Sequence, residues 1–343
     1  MINLAKYPRQ GYVPSPTPVE FLANLTQTLD GPNIYIKRDD YLYGPGGGNK
    51  TRKLDFLIPD ALAKGADSLV TCGAVQSNHC RLTMGWAAKE GLKCHLVLEE
   101  RVPNSYDPNA NGNNFLFKLL GVQDFTVVKG GSDVKHEMEL VAQRIKENGG
   151  VPYIIPGGGS NVRGALGYVN CAQELAEQLQ EKKLHIDHYV LASGSAGTHA
   201  GFLVGLRGNN INTPVHGVSV GRNRKAEEDL VGNLVNQLTS ELQIKAIPPE
   251  EIDCTDEYTG EGYSRPTAEM VEAITMFSQK EGVLLDPTYS GKAAAGLIGM
   301  VRQGKFKKGE NVLFLHTGGF PALFNFTAMF EPKVKIPIYD HRT

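Results

Sequence analysis

The strongest constraint on the fold of this chain is an alternation. Short runs rich in Val, Ile and Leu alternate with longer stretches whose apolar residues recur at helical spacing. Residues 34–37, 68–73, 94–98, 125–128 and 152–155 read as strands. The intervals hold an apolar stripe of Leu54, Phe56, Leu57, Ile58, Ala61 and Leu62 ending at Gly65, then helices over 78–90, 114–120 and 134–147. A second series follows the glycine-rich 156–161, which reads as a domain crossing: helix 164–181, strand 188–192, helix 197–207 and strand 215–220. Helices over 224–242, 267–281 and 290–303 lead to a last strand at 311–315. Strands alternating with helices mean βαβ units, hence mainly parallel sheets covered by helices on both faces. With 343 residues and 41% hydrophobic content the chain can fill two such lobes. The expectation is an α/β protein of two open, twisted sheets with its ligand in the cleft between domains, beyond the carboxyl ends of the strands.

A formal charge of −2 gives no electrostatic footprint for nucleic acid or an anionic membrane. No apolar run is long enough to span a bilayer, and the first residues lack the apolar core of a signal peptide. Five cysteines, an odd number without C-x-x-C spacing, argue against a disulfide framework and against a zinc site. The expected setting is a reducing cytoplasm, with no metal.

Five stretches carry chemistry. In Tyr43-Gly44-Pro45-Gly46-Gly47-Gly48-Asn49-Lys50-Thr51-Arg52-Lys53, a glycine run precedes a lysine and a helix start. Two functions fit: an anion cradle at a helix N-terminus, or a lysine held to bond covalently to a carbonyl. The P-loop version fails on spacing, because Asn49 stands where its second glycine belongs. A plain glycine turn with a solvated lysine remains the bland alternative. Gly73-Ala74-Val75-Gln76-Ser77-Asn78-His79 ends a strand and opens a helix, which suits a carboxylate, although Ser77 or Asn78 could equally be a simple cap. Ser193-Gly194-Ser195-Ala196-Gly197-Thr198-His199-Ala200-Gly201 reads as a phosphate nest without a cation. In Asp286-Pro287-Thr288-Tyr289-Ser290-Gly291-Lys292 the proline keeps Asp286 out of a helix and sets Tyr289 on a fixed turn. His316-Thr317-Gly318-Gly319 puts a threonine hydroxyl at the mouth of the last strand. A lysine, a phosphate nest, a stacking aromatic and a hydroxyl at a strand end together suit pyridoxal 5'-phosphate.

With these motifs, and with Pro16-Thr17-Pro18 and Ile36-Lys37-Arg38-Asp39-Asp40 ahead of them, the chain resembles the fold-type II pyridoxal-phosphate enzymes. Within them it is most similar to the group of D-cysteine desulfhydrase and 1-aminocyclopropane-1-carboxylate (ACC) deaminase, over nearly its whole length. The resemblance implies a tryptophan-synthase-β-like fold, with a large cofactor-binding domain formed by 1–51 and 163–343 and a small α/β domain at 52–162. It implies Lys50 as the lysine bonded to the cofactor's aldehyde and Asn78 as partner of its 3' oxygen. Gly194, Ser195, Ala196, Gly197 and Thr198 would cradle its phosphate, with Tyr289 stacked on its ring and Thr317 beside it. Ser77, Asn78, His79, Gly158 and Tyr263 would meet the substrate, Ser77 holding its carboxylate, and Lys50, Ser77, Tyr289 and Tyr263 form the catalytic set. A homodimer acting on a small amino acid is implied as well.

ACC deaminases resemble one another in a Glu after the Asp-Pro-x-Tyr tyrosine and a Leu after the last strand's histidine. This chain has Ser290 and Thr317 there, similar to the desulfhydrases. A glutamate facing the pyridine nitrogen keeps it protonated and deepens the electron sink that ring opening needs. A hydroxyl leaves the nitrogen neutral, which suffices when a good leaving group sits on Cβ. The expected reaction is α,β-elimination of D-cysteine to pyruvate, ammonia and hydrogen sulfide. The rival expectations are an L-cysteate sulfo-lyase, with Arg163 or Arg265 in loops near the cleft, an L-cysteine desulfhydrase, an ACC deaminase, and a non-catalytic cofactor-binding protein.

Overall fold

The structure is a computed structural model and describes residues 2–330; the end of the expected large domain, 331–343, lies outside the described residues. Among the described residues ten strands form two sheets. The larger contains β1 (Val19–Phe21), β2 (Asn33–Arg38), β7 (His188–Ser193), β8 (Val215–Ser219), β9 (Asp253–Thr255) and β10 (Asn311–His316), in the order β1-β2-β10-β7-β8-β9. The smaller contains β3 (Ser68–Ala74), β4 (Lys93–Glu100), β5 (Asp124–Lys129) and β6 (Pro152–Ile155), in the order β5-β4-β3-β6. Every pairing is parallel except β1 with β2.

The strands are apolar on both faces, as parallel strands sandwiched by helices must be. In β10, Leu313 and Leu315 enter one core while Val312 and Phe314 enter the other; in β7, Tyr189 and Leu191 oppose Val190 and Ala192. The first core is closed by α6 (Val162–Lys182), α7 (Gly197–Gly208) and α8 (Arg224–Leu242). The second is closed by α1 (Ala23–Leu29), α9 (Ala268–Glu281) and α10 (Ser290–Arg302). Around the small sheet, α2 (Lys50–Ala63), α3 (Asn78–Lys89) and α4 (Asn113–Leu119) cover one face and α5 (Val134–Glu147) the other. A fully buried Leu, Ile, Val or Phe stabilises by about 1.5–3 kcal/mol, so these layers hold the two sheets rigidly enough to aim side chains between them.

Two strands and one α-helix were not expected: β1, β9 and α1. The expected division at residues 51 and 52 falls inside α2, which is one unbroken helix and packs on both α3 and α6. Among the described residues no helix is long and apolar enough to cross a membrane. All five cysteines are free and buried, and no acidic, His or Cys cluster among the described residues could hold a metal ion.

Candidate active site

The carboxyl ends of β3, β7 and β10 converge on one cleft lined by Asn49, Lys50, Asn78, His79, residues 192–196, Thr198, His199, Tyr289, Thr317 and Gly318. Lys50 is the first residue of α2, and its amine donates to Asn49 Oδ1 at 3.0 Å. The Asn49 amide donates in turn to Thr198 Oγ1 at 2.9 Å, while the Asn49 backbone N–H donates to Thr317 O at 3.0 Å. One asparagine thus ties the lysine loop to the α7 loop and to the end of β10. The glycines ahead of it allow the close approach: Gly47 has φ +62°, and a Cβ there would stand 2.0 Å from Asp40 O. Burial, with the Arg81 charge, pulls the Lys50 amine down to about 8, against the attraction of Asp286.

The α7 loop is built to take an anion. Ala196 has φ +66°, unusual for a residue with a side chain. The backbone amides of Ser195, Ala196 and Thr198 have no acceptor among the described residues, so they remain available at a helix N-terminus. A lysine stands beside them. Lys53 Nζ donates to Gly158 O at 3.0 Å and to Ser160 Oγ at 3.2 Å, and Ser160 Oγ lies 2.8 Å from Ser195 Oγ. A Cβ on Gly197 would stand 2.7 Å from the Lys53 amine and 2.6 Å from Ser160 Oγ, so a larger residue there would displace both. Burial and then Lys50 hold the Lys53 amine well below the usual lysine range. The nest expected to stand without a cation thus has a lysine amine beside it. Lys53 was legible in one respect: it is three residues from Lys50, on the same helix face.

Ser77 caps α3, its Oγ accepting from Cys80 N at 3.1 Å, and the next two amides, of Asn78 and His79, have no acceptor among the described residues. The cap is present, and the two free amides beside it leave room for an anion at the same helix start. Asn78 Oδ1 accepts from Arg81 and Asn113, both at 2.8 Å. His79 Nε2 lies 2.8 Å from Thr71 Oγ1, whose proton goes to Ile155 O, so Nε2 carries the hydrogen. His79 Nδ1 is left buried without a partner, and burial with Lys50 and Lys53 keeps the ring neutral. Tyr289 and Tyr263 meet edge to face, with hydroxyls 2.5 Å apart; the Lys50 amine lies 5.9 Å from the Tyr289 ring centre. Burial raises both phenols, which stay protonated.

The two subgroup-marking residues are separated by the structure. Thr317 lines the cleft, whereas the Ser290 hydroxyl is fully buried, bonded to Asp286 and to Gly318 O. Asp286 itself accepts from the amides of Thr288, Tyr289 and Ser290, fixing the turn that carries Tyr289. Lys292 is also out of reach: it donates to Thr259 O and Gly262 O and so anchors the loop bearing Tyr263. Arg163 lies in α6 beside Asp60 and Tyr7, Arg265 is exposed, and neither is among the residues lining the cleft. The arginine at this rim is Arg101, stacked 4.5 Å from the Tyr263 ring centre.

A free amine of depressed basicity, an anion nest with its own cation, an orphaned buried nitrogen and a flanking aromatic suit a flat, phosphorylated aldehyde. The comparisons agree. Residues 12–318 match the family described as pyridoxal-phosphate dependent enzyme, and the chain belongs to that family. It is similar to a D-cysteine desulfhydrase of Serratia proteamaculans (strain 568), 45% identical over 94% of this chain and 97% of that protein. Among solved structures, one titled as an ACC deaminase homologue is similar with TM-score 0.86 and 36% identity, covering 95% of this chain and 96% of the other. O-ureido-L-serine synthase shares the fold, with TM-score 0.65 and 19% identity over 92% of this chain and 94% of its own. The protein is thus a pyridoxal-phosphate dependent enzyme of fold-type II.

Proposed function

We propose that the protein eliminates hydrogen sulfide from D-cysteine, leaving pyruvate and ammonia after hydrolysis. Support comes from the 45% identical D-cysteine desulfhydrase and, within the cleft, from one observation: its lining contains Thr317 and, among the described residues, no carboxylate. A site without a carboxylate suits a substrate that brings its own leaving group. Pyridoxal phosphate, when bound, supplies the sink for the electron pair left on Cα.

The chain's residues divide the remaining work. Lys50 would hold the cofactor's aldehyde carbon until substrate displaces it, and its amine then takes the Cα proton; a basicity near 8 keeps part of it neutral at pH 7. The free amides of Asn78 and His79, with the Ser77 hydroxyl, would hold the substrate carboxylate. The Asn78 side-chain amide would donate to the 3' oxygen, and Gly194 to Thr198, with Lys53, would hold the phosphate. Gly158 and Tyr263 border the substrate, and the protonated Tyr263–Tyr289 pair is the acid side of the site. A second reading, L-cysteate sulfo-lyase, is favoured by Arg101, which offers a cation to a sulfonate at the Tyr263 rim. We read the chain as two domains divided near 51 and 162, working as a cytoplasmic homodimer; buried free cysteines support a reducing compartment, and sedimentation tests the dimer.

The deciding experiment incubates the loaded protein with D-cysteine, L-cysteine, L-cysteate and ACC, and measures sulfide, sulfite and 2-keto acid. Sulfide with equimolar pyruvate, fastest from D-cysteine, is expected. Faster turnover of ACC, or sulfite from cysteate as the dominant product, would overturn the assignment.

A further inference from the structure

Arg81, on α3, is fully buried and donates four hydrogen bonds, all to neutral oxygens. Its Nε reaches Pro45 O at 2.8 Å and Nη2 reaches Gly47 O at 2.9 Å, so it pins the glycine loop ahead of Lys50. Its Nη1 reaches Asn113 Oδ1 at 2.6 Å and Asn78 Oδ1 at 2.8 Å. Among the described residues no carboxylate lies within ion-pair distance of it, although Asp286 acts on it from further off. A buried cation without a partner is costly, and neutral acceptors offset only part of that cost.

The arrangement fixes the orientation of Asn78. Arginine has donors only, so the Asn78 atom turned toward Arg81 is the carbonyl oxygen. Asn113 Nδ2 donates to the same oxygen at 2.8 Å and to Gln76 O at 2.8 Å, which closes that side. The Asn78 NH2 is thereby directed the other way, past Gly319, where a Cβ would stand 2.6 Å from Nδ2 and 2.9 Å from Asp286 Oδ1. An amide whose oxygen accepts from a guanidinium is polarised, and its N–H groups become stronger donors.

We infer that Arg81 is a positioning residue which, through Asn78, strengthens the hold on the 3' oxygen of pyridoxal phosphate and favours that oxygen's ionised form. This rests on the reading of Asn78 given under Proposed function. The cofactor's oxygen is then the anion that the buried guanidinium lacks, supplied one side chain away. The same guanidinium holds the lysine loop, so cofactor affinity and loop geometry depend on one group.

The test uses the full chain stripped of cofactor and retitrated with pyridoxal phosphate at one fixed pH. It reads the dissociation constant and the position of the visible absorbance band. Arg81→Gln is expected to weaken binding about 10- to 100-fold and to move the band to shorter wavelength. In an Asn78→Ala background the same change should add less than about twofold, because the path through Asn78 is gone. If Arg81→Gln does not fold, Asn113→Ala, which removes one anchor of the pair, should shift the band in the same direction by less. An unmoved band and unaltered affinity in the folded variant, or a full loss repeated in the Asn78→Ala background, would overturn the inference alone. An unaltered chain that develops no visible band would overturn the cofactor reading, and the inference with it.

Discussion

The first turn of α2 sends its cations into two different surroundings. Arg52 points toward α6, where its guanidinium meets Asp39 at 2.8 and 2.9 Å and Glu174 at 2.8 and 2.9 Å. Tyr168 and Thr17 donate to the same Asp39, and Lys37 pairs with Glu174. Burial opposes the charge of Arg52, but Asp39 overcomes it and raises the group well above the usual range. Lys50 lines the cleft and Lys53 is buried behind the 194–198 loop, and among the described residues both donate to neutral oxygens, those of Asn49, Gly158 and Ser160. Burial there wins, and both amines are depressed. Cations matched by carboxylates belong to the architecture. Cations left unmatched in a cleft mark where an anion or an aldehyde is to come.

Breaking the matched side should have the largest effect on folding. Arg52→Met strands Asp39 and Glu174 and is expected to destabilise the cofactor-free protein by about 3–5 kcal/mol in urea unfolding. A loss below about 1 kcal/mol would mean the network is not structural in this sense. The unmatched side should behave in reverse. Lys53→Met is expected to change that stability by no more than about 1 kcal/mol while weakening pyridoxal-phosphate binding about 10- to 100-fold. Equal losses of stability in the two variants would erase the distinction.

The smallest of these effects is in pH. Because the Lys50 amine is pulled down to about 8 from 10.5, its neutral fraction grows as pH rises through 8 and levels off above about pH 9. At pH 7 the neutral share is ~300-fold that of an ordinary lysine. The rate at which stripped protein takes up pyridoxal phosphate covalently should therefore rise about tenfold from pH 7 to a plateau above pH 9. A rate still climbing steeply through pH 10 would assign the bond to an ordinary exposed amine.

The sequence marked residues that the structure brings to one cleft wherever they coincide with a local signal. Lys50, Asn78, Tyr289, Thr317 and the 194–198 loop all sit where a glycine turn or a strand end announces itself. Residues whose meaning comes from distant partners stayed hidden. Lys53 acquires its role from Gly158 and Ser160, more than a hundred residues away, and Asn113 from Gln76, Asn78 and Arg81. Arg163 and Arg265 show the opposite error: nearness in sequence to a cleft motif carried no information about which way a long side chain turns. In the fold, the alternating units were readable because each carries its own hydrophobic period. The three-residue strands β1 and β9 are too short to show one, and only pairing with β2 and β8 defines them.

The central claim is that one amine, Lys50, carries the cofactor, while two other buried lysines serve other ends: Lys53 beside the anion nest and Lys292 on the carbonyls of Thr259 and Gly262. Reducing the loaded protein with borohydride and mapping the pyridoxyl group by peptide mass spectrometry tests this directly. The account predicts the modification on Lys50. A pyridoxyl group on Lys53, Lys292 or any other lysine would contradict it.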